Sequence, residues 1–240
     1  MNKIKIYLIA FIFSIICYGN AVAGTGAATE YKITIYKIEL CDSTSTASAC
    51  NGAITVYDGN SGTIDIANTT AGAAAASLGN AGVAKFGTSY TYMQITMSRA
   101  YTVKGSAEDS AGNTCYTIGS QTGAKGSNAK GTNASGSEAS TTLYAAMVGT
   151  SVGDNLTGLS SLTDTTGVAS TIASDDEYFQ YRQQLASTFT MVPGNIPSVT
   201  VAFGTTNAVG AIGNMTSNCN QSGAAKGLYA AEPDVTVTIK

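Results

Sequence analysis

The chain contains no histidine and no tryptophan, only three prolines, and charged side chains at just 11% of its 240 positions. The missing histidine removes the usual general base and the commonest metal ligand. With 12 Lys+Arg against 15 Asp+Glu and an isoelectric point near 4.8, there is no basic footprint for nucleic acid. A disordered polyampholyte needs more charge and fewer β-branched residues than this. What is abundant is small: Ala, Thr, Ser and Gly fill 119 positions, about half the chain.

The opening residues read as an export signal. Lys3 and Lys5 give a short positive start, Ile6 to Cys17 is an apolar core, and Ala21-Val22-Ala23 before Gly24 is a small-residue cleavage site. The apolar run is too short to span a bilayer of about 30 Å as a helix. Lipid attachment at Cys17 is disfavoured, because Ile16 stands where a small residue is expected. The expectation is a signal peptide over 1–23 and a single β-sandwich domain over 24–240, with no later membrane span.

Four cysteines then remain: Cys41, Cys50, Cys115 and Cys219. An even count in an exported chain reads as disulfides. Three connectivities are possible and the sequence does not choose among them. The favoured one is Cys41–Cys50 with Cys115–Cys219, the second closing a long loop worth about 4 to 5 kcal/mol in the chain-entropy model. A metal site is disfavoured, since there is no Cys-x-x-Cys pair and no histidine to complete one.

The rest reads as strands separated by small polar loops. From Tyr31 to Leu40, Ile33 and Ile35 share one face, while Ile38 and Leu40 fall on the other. Such a phase change needs an extra residue, which places a bulge near Tyr36-Lys37. Ile54–Tyr57 and Thr63–Ile66 follow, joined by Asp58-Gly59-Asn60-Ser61-Gly62, a hairpin-turn composition. The best alternation is Met93, Ile95, Met97, Tyr101 and Val103, interrupted by Arg99. Val199, Val201 and Phe203, then Val235, Val237 and Ile239, complete the set, with Pro197 and Pro233 just ahead of them.

Ser174-Asp175-Asp176-Glu177 resembles a helix capping box. Yet Phe179, Tyr181, Leu185, Phe189 and Met191 fit a long period-two strand, and strand is the expectation. Long Gly/Ser/Thr/Ala-rich surface loops are expected near 104–142, tied down by Cys115, and near 149–175. The fold class is therefore all-β, an antiparallel sandwich of immunoglobulin-like or transthyretin-like type.

The stretches Ile33–Leu40, Ile64–Ile66, Gly87–Ile95, Val199–Phe203 and Asn207–Val209 together resemble a bacterial envelope domain family of uncharacterised function. That family has a transthyretin-like or carboxypeptidase-regulatory-like sandwich. The family's Leu-Pro before Gly87, and its Arg near Gln94, are absent here. The resemblance implies a sandwich in the envelope of a bacterium and carries over no catalytic residue.

Catalytic motifs fail on inspection. Gly149-Thr150-Ser151-Val152-Gly153 matches a nucleophile elbow, but no histidine exists to serve it. Ser127-Asn128-Ala129-Lys130 matches Ser-x-x-Lys within a Gly-rich loop that offers no burial to lower the lysine pKa. Asp58–Gly62 begins like a calcium loop, but Thr63 and Thr69 replace its turn glycine and closing glutamate. Asp175, Asp176 and Glu177 are consecutive and cannot all converge from one strand face. Asn68 and Asn155 begin glycosylation sequons that so Asn- and Thr-rich a chain makes uninformative. No catalytic residue, metal or cofactor is expected.

Tyrosine is the one enriched side chain with binding potential, at 13 residues. Tyr36, Tyr90 and Tyr92 lie on strands, where they either stack on a sugar, anchor an interface, or close over a small core. Two function classes follow. The first is an exported, non-enzymatic structural or adhesive surface protein, self-assembling through Val235–Lys240 or Gly24–Thr29 unless these ends pair internally. The second is an extracellular carbohydrate- or ligand-binding module. An outer-membrane barrel ranks below both, because few strands are evident and Lys240 stands where an aromatic ending is usual.

Overall fold

A computed structural model describes residues 24–47, 49–68, 79–119, 128–144, 160–162, 168–169, 178–194, 197, 199–223, 226–231 and 233–239. The expected signal peptide, the Gly149–Gly153 motif, Ser174–Glu177 and the Asn155 sequon lie outside the described residues. The chain is an all-β sandwich. It opens with β1 (Gly24–Gly26), β2 (Ala28–Asp42), β3 (Ile54–Asp58) and β4 (Thr63–Asp65). A 3-10 turn at Ala81–Val83 precedes β5 (Ser89–Ser98) and β6 (Ala100–Glu108). Next come β7 (Thr114–Thr117), β8 (Gly131–Thr132), β9 (Thr141–Tyr144), β10 (Ser160–Leu162) and β11 (Val168–Ala169). The last strands are β12 (Tyr178–Thr190), β13 (Val199–Gly204), β14 (Val209–Ile212), β15 (Gly227–Ala230) and β16 (Asp234–Ile239).

The fifteen residues of β2 form the axis of an eleven-stranded sheet. At Lys32 it is flanked by β4 and β6, and at Lys37 by β3 and β5, all antiparallel. The ladder to β5 shifts register between Ile35 and Lys37, which is the expected bulge. It lets Ile33, Ile35, Ile38 and Leu40 all be buried. Asp58–Gly62 is not a hairpin turn, because β3 and β4 each pair with β2 rather than with each other. Instead the turn docks on the bulge. The Gly59 and Ser61 amides donate to the Tyr36 and Ile35 carbonyls, and the Ile35 amide donates to Ser61 Oγ, each at 2.9 Å.

Residues 178–190 are strand, as the alternation requires: Phe179, Tyr181, Leu185, Phe189 and Met191 are all buried. A register shift between Gln184 and Phe189 interrupts the β12–β5 ladder, which resumes at Phe189–Tyr90 and Thr190–Ser89. Arg99, the interruption between β5 and β6, is fully buried.

Two smaller sheets complete the sandwich: β1–β14–β15, and a ribbon of β13 with β16. Both chain ends that the sequence offered as strand donors are paired internally, Gly24–Gly26 with β14 and Asp234–Ile239 with β13. The 104–142 stretch is not simply a surface loop. β6 continues to Glu108, β7, β8 and β9 follow, and Ala107, Cys115, Thr117, Asn128, Ala129 and Thr141 are buried. Glycine is what allows this. A Cβ on Gly105 would stand 2.2 Å from the Ala27 carbonyl oxygen, and one on Gly131 2.8 Å from that of Tyr116.

Disulfides join Cys41 to Cys50 and Cys115 to Cys219. No helix among the described residues is long and apolar enough to cross a membrane.

Candidate functional site

The β13–β16 ribbon lies over the apolar face of the large sheet, and the two strands pair in register from Val199–Ile239 to Gly204–Asp234. Among the described residues, β13 ladders with β16 alone. Its other edge ladders with no strand among the described residues. Val201 and Phe203 point down from β13 and are only half-buried. Beside this edge a slot opens between the ribbon and the 3-10 turn. Ile33, Ile35, Ile38 and Leu40 of β2 form its floor, and Val56, Ile64 and Ala81 its far wall. A second opening, on the other side of Phe203, runs under the Ala230–Val235 connection.

β13 carries no charge and no proline between Val199 and Gly204. Natural sheets usually protect such an edge with lysine, proline, a bulge or a covering loop. An unprotected edge beside an apolar slot can bind an extended segment: backbone pairing supplies affinity and alternate side chains fill the slot.

The opposite face of the large sheet is polar yet buried. One cross-strand row is Glu39, Gln94 and Arg182; the next is Lys37, Thr96 and Gln180. Glu39 accepts from Lys37 Nζ at 2.5 Å and from Gln94 Nε2 at 2.8 Å. Burial pulls the Arg182 guanidinium below its ordinary pKa, opposed by the nearby Glu39 carboxylate. Gln94 Oε1 and Thr96 Oγ1 are buried without a hydrogen-bond partner among the described residues.

The tyrosines of interest are divided by this architecture. Tyr90 is fully buried, stacks on Phe189 at 6.3 Å, and its hydroxyl accepts from the Lys85 amide. It is a core residue and cannot serve as a surface contact, because the bulge between Cys41 and Asp42 turns it inward. Tyr36 and Tyr92 are half-buried on the polar side. Tyr36 meets Tyr178 edge-on at 4.8 Å, and burial raises its phenol pKa, with the Tyr178 hydroxyl adding to the effect. The four cysteines form bridges that brace the fold and do not converge on the slot. Phe203 and its open edge were not singled out from sequence as a site, although the uncharged Val-Thr-Val-Ala-Phe run was the available signal.

No family model, curated protein or solved structure matches this chain.

Proposed function

We propose that the protein is a non-enzymatic structural or adhesive component of a bacterial surface, exported from the cytoplasm, which engages partners by strand addition at β13. Copies of itself are the first partner proposed. The observation that supports this reading is the β13 edge, uncharged, free of proline and without a second ladder partner among the described residues, beside its apolar slot. The disulfides and the absence of an apolar membrane-length helix among the described residues are compatible with an extracytoplasmic setting.

Because Val201 and Phe203 face the slot, Thr200 and Ala202 face away from it. Ala202→Lys therefore puts a charge on the edge without entering the core. Light scattering of the oxidised protein across a concentration series tests the proposal. Wild type should associate, and Ala202→Lys should stay monomeric with an unchanged melting temperature. A wild type that remains monodisperse at high concentration contradicts self-assembly.

The alternative reading is a glycan-binding module, favoured by the half-buried Tyr36–Tyr178 pair beside a polar sheet face. Saturable binding to one member of a glycan panel, lost in Tyr36→Ala, would favour it.

A further inference from the structure

Lys37, Glu39 and Gln94 meet on the polar side of the large sheet. Lys37 and Glu39 share a face of β2, and Gln94 stands opposite Glu39 on β5. Lys37 pairs with Thr96, so it is the diagonal neighbour of Gln94, within reach of a long side chain. One carboxylate holds both. Lys37 Nζ donates to Glu39 Oε1 at 2.5 Å, and Gln94 Nε2 donates to Glu39 Oε2 at 2.8 Å. An amine and a carboxamide are thus fixed side by side on the two oxygens of one buried group.

The carbonyl end of the same carboxamide is different. Gln94 Oε1 is buried and has no hydrogen-bond partner among the described residues. Leaving a buried carbonyl in that state costs free energy, and a row serving only as structure gains nothing from it. On the next strand Arg182 stands opposite Gln94, on the side away from Glu39. The carboxamide therefore lies in a row between a carboxylate, which holds its nitrogen, and a guanidinium-bearing residue. Acyl transfer needs this order: a proton acceptor at the nucleophile, a proton donor at the leaving nitrogen, and positive charge near the developing oxyanion.

The geometry points to an isopeptide bond between Lys37 Nζ and Gln94 Cδ, formed once in the folded protein with Glu39 as proton carrier. Lys37 passes a proton to Glu39, and its freed electron pair attacks Gln94 Cδ while the carbonyl π pair moves onto Oε1. Glu39 then protonates Nε2 across the contact it already makes. The Cδ–Nε2 bond breaks with its electron pair on nitrogen, and ammonia departs. A second Lys37 proton passes through Glu39 to the ammonia, which leaves as ammonium and restores the carboxylate. No oxidant or co-reactant is needed. Aminolysis of an amide is slow between free molecules, but fixed proximity supplies effective molarities of about 10⁵ to 10⁸ M. The Lys37 side chain is 37% exposed, which gives the ammonium a way out. This bond would tie β2 to β5, and it does not depend on strand addition at β13.

Tryptic mapping of the full chain, folded and oxidised and then reduced for digestion, tests this. An acylated Lys37 resists trypsin, so residues 33–85 should appear joined to residues 86–99. The pair should weigh about 17 Da less than the two peptides together, the loss of one ammonia. Fragmentation should place the link between Lys37 and Gln94. Lys37→Arg, which keeps the ion pair, and Glu39→Gln, which keeps the size, should each yield separate peptides. The linked chain should also unfold at a higher urea midpoint than Lys37→Arg, as a cross-linked chain does. In Glu39→Ala the lost link adds to the lost hydrogen bonds. Folded wild type that is cut after Lys37, with residues 86–99 released at full mass, would overturn the inference whatever the variants do. A link that persists in folded Glu39→Gln would overturn the role given to Glu39.

Discussion

The Asp109 carboxylate accepts the Met215 amide at 2.7 Å, joining positions 106 apart in the chain. The same side chain accepts from the amides of Ala111 and Asn113 and from Asn113 Nδ2. Burial pushes this carboxyl up, but the hydrogen bonds to its charged form outweigh burial and hold it below the ordinary 3.8. A lowered folded-state pKa contributes stability that is present above the unfolded value and is lost as pH falls through the folded one. Melting temperature should therefore drop in acid below about pH 4. Asp109→Asn should flatten that drop and cost about 2 to 3 kcal/mol at neutral pH, since charge-assisted hydrogen bonds are replaced. A variant with the wild-type acid profile would show that other groups control acid stability.

The two disulfides should differ in effect. Cys115–Cys219 spans a separation of 104 residues and Cys41–Cys50 one of 9. In the chain-entropy model these are worth about 4.7 and about 2.6 kcal/mol. Replacing Cys115 and Cys219 by Ser should lower the denaturation midpoint more than replacing Cys41 and Cys50. Equal losses would point to contributions from native packing rather than from the unfolded chain.

In the β1–β14–β15 sheet, Gly210 faces Tyr229, whose ring occupies the place of a side chain. A Cβ on Gly210 would come within 2.1 Å of Tyr229 Cζ. Gly210→Ala should cost about 1 to 3 kcal/mol, as overpacking does. In Tyr229→Ala the same change should cost clearly less, giving a coupling above about 0.5 kcal/mol in a double-mutant cycle. Additive losses would show that backbone strain, not the ring, sets the penalty.

The buried polar row gives a further test. Removing Glu39 leaves Arg182 and Lys37 without the carboxylate beside them. Glu39 is buried but its Lys37 partner is 37% exposed, so Glu39→Ala should cost about 1 to 3 kcal/mol, the scale for losing hydrogen bonds to a buried charged group. Urea denaturation of the variant measures it directly. A loss under about 1 kcal/mol would mean that the row behaves as an exposed surface pair.

Much of the main sheet was legible because its signals are binary and local. The phase change from Ile33/Ile35 to Ile38/Leu40 allows only a bulge, and the bulge is there. The five apolar residues from Phe179 to Met191 follow the period-two pattern and are all buried on a strand. Both cysteine pairings were anticipated, the shorter as a local loop. The failures have a common cause. Between Lys104 and Thr142 the buried positions are often glycine or small polar residues, which carry no hydrophobic period. Their burial arises from backbones that approach closely, as at Gly105 and Gly131, and only the fold reveals it. The Asp58–Gly62 segment has turn composition for a different reason: it must follow the bulge in its neighbour. Tyr90 joins the core because a second bulge, opposite Cys41 and Asp42, turns it to the buried face. The open edge of β13 depends on which strands fail to pair with it, a property that its own residues do not encode.

The most direct measurement is hydrogen exchange resolved to single amides across Val199–Gly204, at low and high protein concentration. If β13 accepts a strand, alternate amides on its open edge exchange freely in dilute protein and become protected as the protein associates. The amides bonded to β16 stay protected throughout, and Ala202→Lys removes the concentration dependence. Open-edge amides that exchange freely at every concentration while wild type associates would place the contact elsewhere and contradict strand addition at β13.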